Sequence, residues 1–149
     1  MADPLILFVE DNPDDAKLTL KALRLSNIEN ETVLAADGVE ALDFLFGTGS
    51  YTGRDTGMMP RFILLDLKLP KVDGLEVIRR VRGDDRTRLI PIVVLTASGE
   101  RRDIIDSYQY GANAYIRKPV DFVQFVDALR HTCEFWLLVN EPLPPQKKP

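Results

Sequence analysis

Four consecutive large apolar residues, Phe62-Ile63-Leu64-Leu65, run straight into a carboxylate at Asp66 and stop being strand-like at Pro70. A strand with one wet face alternates apolar and polar side chains, so an unbroken run of this kind reads as a strand buried on both faces. Similar runs recur at Leu5–Val9, Thr32–Ala36, Ile90–Leu95 and Ala114–Ile116. The segments between them carry three- and four-residue apolar spacing, as in Leu18, Leu20, Leu23 and Leu25 or Val39, Leu42, Leu45 and Phe46, which predicts helices. Asp37-Gly38-Val39-Glu40 and Asp73-Gly74-Leu75-Glu76 each place an acceptor at a helix N-cap with a glutamate three residues on. Gly111 falls where the fourth helix should end. Strict alternation of buried strands with helices predicts a doubly wound α/β domain, a parallel sheet covered on both faces.

At 149 residues the chain is long enough for one domain to bury a core without covalent staples. Residues 1–140 are assigned to that domain and 141–149 to a proline-rich tail, where Pro142-Leu143-Pro144-Pro145 forces extended chain and QKKP reads as disordered. Gly47–Pro60, GTGSYTGRDTGMMP, reads as a mobile, solvent-exposed connection before the third strand. A net charge of -4 with no basic block argues against a nucleic-acid partner. The single cysteine, Cys133, excludes an internal disulfide and fits a reducing compartment. MADPLILFVED lacks the basic start of a signal peptide, and no apolar stretch approaches the ~20 residues of a membrane helix. The expectation is a soluble cytoplasmic protein with no membrane contact.

In an open α/β sheet, ligands bind beyond the carboxyl ends of the strands. The first strand leads to Glu10 and Asp11, the third to Asp66, the fourth to Thr96 and the fifth to Lys118. Each has an ordinary reading alone: a lone aspartate there is usually a turn or cap residue, a threonine a cap, a lysine a solvated charge. Asp14 and Asp15 are taken as such helix-start residues. Together, the three carboxylates repel unless a cation is present or a pKa rises, and a hard divalent ion such as Mg²⁺ suits oxygen ligands. Thr96 and Lys118 then stand as donors for an anion carrying more charge than a carboxylate. That set suits a phosphorylated aspartate, with the buried strand fixing the nucleophile.

The matching segments VEDN (Val9–Asn12), ILLDLKLPKVDG (Ile63–Gly74), VVLTAS (Val93–Ser98) and GANAYIRKP (Gly111–Pro119), with the strand–helix rhythm over about residues 4–135, resemble the receiver domain of two-component response regulators. The resemblance implies a flavodoxin-like (βα)5 fold with strand order 2-1-3-4-5. It implies that Asp66 accepts a phosphoryl group from a phosphohistidine of a sensor histidine kinase. It also implies that Asp11, Asp66 and the Lys68 backbone carbonyl ligate Mg²⁺, with Glu10 acting through water and Mn²⁺ or Ca²⁺ able to substitute. Lys118, Thr96 and the Ala97 backbone N–H would hold phosphoryl oxygens. Thr96 and Tyr115 would form the switch, changing the surface of the fourth helix, fifth strand and fifth helix. Lys68 and Ser98 occupy the positions that tune phosphorylation lifetime in this family. Such a protein is no enzyme beyond its own phosphotransfer and dephosphorylation.

Output is expected through a partner, through self-association or through passing the phosphoryl group on. On the last helix Phe122, Phe125, Val126, Leu129, Cys133 and Trp136 share the core side, while Phe135, Leu138 and Val139 fall off it as a candidate homodimer contact. FWLLVNEPLPP and the insertion before the third strand resemble stand-alone receivers that serve phytochrome-type histidine kinases, with Pro13–Ser26 and the loop after Pro119 as the expected docking surface. His131 is read as a surface residue. The alternative is a receiver-like interaction module that works without phosphorylation. A haloacid-dehalogenase phosphatase would need an acid where Lys68 stands. A flavodoxin-type FMN carrier would meet repulsion from Glu10 and Asp11. No phosphate-binding G-x-x-x-x-G-K-[ST] loop exists for a nucleotide hydrolase.

Overall fold

A computed structural model describes residues 4–144. Its strands β1 (Ile6–Val9), β2 (Thr32–Ala35), β3 (Phe62–Leu65), β4 (Ile92–Thr96) and β5 (Ala114–Arg117) form one parallel sheet in the order β2-β1-β3-β4-β5. Helices α1 (Pro13–Leu25), α2 (Gly38–Phe46), α3 (Gly74–Arg82), α4 (Arg101–Tyr110) and α5 (Phe122–Glu134) alternate with them. This is the parallel, doubly covered sheet that the alternating pattern predicts, in the flavodoxin-like (βα)5 form and strand order that the receiver resemblance implies. Because successive strand residues face opposite sides, the sheet supports two cores. Leu7, Val9, Ile63, Leu65, Ile92 and Val94 pack against Leu42, Leu45, Val77 and Val81 of α2 and α3. Ile6, Phe8, Phe62, Leu64, Val93 and Leu95 pack against Ala22, Leu23, Phe125 and Leu129 of α1 and α5.

The parallel register is what assembles the strand ends. Val9 pairs with Leu65, so the next residues, Glu10 and Asp66, emerge side by side, and the Asp66 N–H donates to the Val9 carbonyl at 3.1 Å. Thr96 pairs with Arg117, and the Lys118 N–H donates to the Thr96 carbonyl at 2.7 Å.

Several local features differ from the sequence reading. Ile90 is buried, but the β4 ladder starts at Ile92, after Pro91, which has no N–H to offer. Asp37 and Asp73 do cap α2 and α3, accepting from Glu40 N and Glu76 N. Only Glu40 reaches back, and it does so to Ala36 N, whereas Glu76 turns to Arg79 and Arg80. The Gly47–Pro60 connection is held against α2: the Arg54 guanidinium lies 4.0 Å from the Phe44 ring centroid and donates to the carbonyls of Phe44, Asp55 and Met58. Tyr51 meets the same ring edge-on at 5.2 Å. After α5 the chain widens into a π-helical turn, Phe135–Val139, closed by Asn140 N donating to Phe135 O. That turn keeps Trp136 and Leu137 against the core and leaves Phe135, Leu138 and Val139 exposed. The QKKP end, Gln146–Pro149, lies outside the described residues. Among the described residues no helix is long and apolar enough to cross a membrane.

Candidate functional site

Asp66 leaves β3 at the carboxyl edge of the sheet with 9% of its surface exposed. Its Oδ1 accepts from the Thr96 hydroxyl at 2.9 Å and from the Lys68 N–H at 3.3 Å. Its Oδ2 lies 3.6 Å from the Lys118 ammonium. Lys118 crosses from the end of β5 to donate to Glu10 Oε1 at 2.6 Å, and Asp15 of α1 stands 3.8 Å from the same nitrogen. Four separate strand ends therefore meet within hydrogen-bonding reach, though Lys118 and Glu10 are 108 residues apart.

Burial shapes the charges. Loss of water around Glu10, helped by the Asp66 charge, outweighs the hydrogen bond from Lys118 and pushes the Glu10 carboxyl up to about 7. For Lys118, burial pulls the ammonium down, but the Glu10 hydrogen bond and the charges of Glu10, Asp66 and Asp15 overcome it, so the ammonium stays protonated above its ordinary range.

Glu10, Asp11 and Asp66 each offer one carboxylate oxygen, and these oxygens lie within 4.8 Å of one another. Asp11 is exposed while the other two are buried, so the cluster opens to solvent on one side. Three hard oxygen donors converging on an accessible point fit a divalent, oxygen-preferring cation that keeps part of its water shell.

A second network flanks the acids. Lys68, just past Asp66, reaches Asp103 in the first turn of α4, with Nζ and Oδ2 3.5 Å apart. The Ser98 hydroxyl donates to the same Asp103 oxygen, which holds that carboxyl below its usual range, with the Lys68 charge adding to the effect. The Tyr115 hydroxyl donates to the Ser98 carbonyl at 2.8 Å, and its ring packs on the α2/α3-side core. Every side chain singled out at the sheet edge thus has a place: Glu10, Asp11, Asp66, Thr96 and Lys118 form one cluster, and Lys68, Ser98 and Tyr115 a neighbouring one. His131 is exposed in the last turn of α5, as read.

Three participants escaped the sequence reading. Asn12, not Asp14 or Asp15, caps α1, accepting from both their N–H groups. That frees Asp15 to face Lys118. Asp103 is the third: an acid in a first helical turn is common enough that its spacing gave no signal.

Residues 6–130 match the family model of the response regulator receiver domain. Response regulator Rcp1 of Synechocystis sp. is 36% identical over 133 residues, spanning 89% of this chain and 88% of its own length. The solved Mn²⁺-bound form of Rcp1 superposes with a TM-score of 0.84 at 34% identity, covering 94% of this chain and 99% of the other. The phosphorylated cyanobacterial phytochrome response regulator RcpA gives 0.86 at 38% identity, covering 95% and 99%. The bacteriophytochrome response regulator AtBRR is 52% identical with a TM-score of 0.76, covering 95% and 100%.

Proposed function

Because the chain belongs to the response regulator receiver family, we propose that Asp66 is its phosphoacceptor, charged by a histidine kinase in a separate chain. The observation that carries this reading is the pair of donors on Asp66: the Thr96 hydroxyl at 2.9 Å on one oxygen and the Lys118 ammonium at 3.6 Å from the other. One Asp66 oxygen attacks phosphorus as the N–P bond of a phosphohistidine breaks, and an acyl phosphate forms while the imidazole leaves. Lys118 then pairs with a phosphoryl oxygen, and Thr96 with the Ala97 N–H takes others. Asp11, Asp66 and the Lys68 carbonyl would hold Mg²⁺, with Glu10 acting through water and Mn²⁺ or Ca²⁺ as substitutes. When bound, that ion offsets the negative charge that gathers on the phosphoryl oxygens. Hydrolysis of the acyl phosphate resets the protein.

Phosphorylation adds roughly one unit of charge next to Thr96, and couplings between such sites run ~1–3 kcal/mol. A change of that size re-weights existing arrangements of Thr96, Tyr115 and the α4–β5–α5 surface; it does not remake the fold. The similarity to RcpA and AtBRR supports a phytochrome-type kinase as the partner, and hence light as the signal. The exposed apolar strip of Phe135, Leu138 and Val139 supports a homodimer through the end of α5. A cytoplasmic location fits both the kinase partner and the lone thiol.

The test is direct. Incubation with Mg²⁺ and acetyl phosphate should raise the intact mass by one phosphoryl group, and Asp66→Asn should abolish the gain. A wild-type protein that never gains the mass would overturn the reading in favour of a phosphorylation-independent module.

A further inference from the structure

The Lys68–Asp103 contact joins the phosphoacceptor loop to a lightly buried helix. Ser107 is the only fully buried residue in α4. The N-terminal turn of that helix is fastened through Asp103, whose Oδ2 takes the Ser98 hydroxyl and lies 3.5 Å from the Lys68 ammonium. Asp103 is fixed in place and only 14% exposed, whereas Lys68 is 70% exposed and free to move through solvent at small cost. The Lys68 N–H already touches Asp66 Oδ1, so the root of this side chain sits directly over the phosphoacceptor. Lys68 and Asp103 also line one recess of about 330 Å³, together with Leu67, Leu69, Asp73 and Leu75.

We propose that Asp103 is a positioning residue for Lys68: it holds the ammonium on α4 and off Asp66, and a phosphoryl group on Asp66 competes for that ammonium and unfastens the first turn of α4. The inference rests on Asp66 being the phosphoacceptor. The competition follows from charge. A carboxylate offers Lys68 one negative charge, already shared with the Ser98 hydroxyl, while a phosphoryl group presents close to two and three acceptor oxygens. Lys118, 3.6 Å from Asp66 Oδ2, takes one phosphoryl oxygen from the β5 side, which leaves the other oxygens open to a second cation at the mouth of the site. Once Lys68 leaves, the α4 turn keeps Asp103–Ser98 but loses its tie to the β3–α3 loop. The acyl phosphate thereby gains a route to α4 separate from the one through Thr96 and Tyr115. Lys68 already stands at a lifetime-tuning position of the family, so the hold of Asp103 on its ammonium bears on how long the phosphoryl group lasts.

The experiment is a double-mutant cycle on wild type, Lys68→Met, Asp103→Asn and the double variant. Asn keeps the shape and can still accept from Ser98, but it no longer attracts the ammonium. Each protein is charged with acetyl phosphate and Mg²⁺, the donor is removed, and phosphoryl loss is followed by intact mass. Amide exchange across residues 101–104 is measured without any donor. Asp103→Asn should lengthen the phosphoryl lifetime and Lys68→Met shorten it, each by up to about fivefold, the limit for one exposed ion pair. The Asp103→Asn effect should vanish in the Lys68→Met background. Exchange at the start of α4 should be faster in both single variants and no faster still in the double. An Asp103→Asn effect that survives without the lysine, or unchanged exchange in Lys68→Met, overturns the proposal. Should no protein, wild type included, take up a phosphoryl group, the phosphoacceptor reading fails, and the exchange arm still decides whether Lys68 ties down α4.

Discussion

Gly74 opens α3, and replacing it with alanine sets two physical effects against each other. Helix propensity favours the change, because glycine in a helix is worse than alanine by up to about 1 kcal/mol. The packing opposes it. A Cβ built on Gly74 would stand 2.6 Å from the Asp66 carbonyl oxygen and 2.6 Å from the Leu67 Cα. Both are backbone atoms that cannot swing aside, and ordinary contact begins near 3.4 Å, so α3 and the Asp66 backbone must part by about 0.8 Å. Forced expansion of a packed region costs typically 1–3 kcal/mol, which exceeds the propensity gain. Gly74→Ala should therefore lose roughly 1–2 kcal/mol net, a Tm decrease of about 2–8 °C for a domain of this size. The functional consequence is larger. The displaced atom belongs to the phosphoacceptor itself, and a 1 Å error in reacting geometry can cost about 100-fold in rate. Mass-resolved phosphorylation by acetyl phosphate should slow by roughly tenfold or more, a fair share of that limit. A variant that melts higher than wild type and is phosphorylated within twofold of its rate would refute the close-approach argument.

Arg82→Met removes donors to the carbonyls of Arg88, Ile90 and Gly111 and to Asn113 Oδ1, all at 2.8–2.9 Å. Hydrogen bonds from a charged group contribute about 1.5–3 kcal/mol singly and less when shared, so urea unfolding should register a loss of about 3 kcal/mol; under 1 kcal/mol would contradict the hub role. Burial pushes the Cys133 thiol from 9 to about 12. The unfolded chain then gives up its thiol proton first, so this contribution is intact below pH 9 and is lost as pH rises toward 12, at about 1.4 kcal/mol per unit. The stability gap between wild type and Cys133→Ala should narrow over that range in chemical unfolding at stepped pH; a constant gap would mean the thiol meets water when folded. Leu138 is 80% exposed, so if the proposed homodimer forms there, Leu138→Asp should shift light scattering from dimer to monomer and lower Tm only by the association lost. A dimer that persists would put the contact elsewhere.

The backbone plan was legible because burial on both faces leaves an unbroken apolar run, and the central strands β1, β3 and β4 carry such runs. The meeting of Glu10, Asp11, Asp66, Thr96 and Lys118 was legible for a related reason. Each ends a strand or lies within two residues of its end, and parallel register carries strand ends to one edge. Contacts set by side-chain reach were not legible. Lys68 and Asp103 are separated by α3, β4 and three loops, and a lysine in a loop or an acid in a first helical turn has an adequate local explanation. Gly38 looked like part of a cap signature, and nothing local revealed that the Val72 carbonyl presses against the space a side chain would fill. Arg54 sat in a glycine-rich segment whose composition suggested looseness, yet stacking on Phe44 makes that segment part of the α2 surface.

This division has a consequence for how such a chain acquires its own behaviour. The acids and donors at the strand ends are fixed by register, so moving one of them means moving a strand through the core. Lys68, Asp103 and Ser98 sit on loops and a lightly buried helix, where a substitution disturbs one ion pair or one hydrogen bond. Exposed pairs of that kind are individually worth ~0.2–1 kcal/mol, a negligible share of folding stability but up to about fivefold in a lifetime or a population. Chemistry and tuning can then change independently. Swapping Lys68 or Asp103 should alter how long the signal lasts while leaving which residue carries it untouched, whereas disturbing the Gly74 contact should damage the carrier itself.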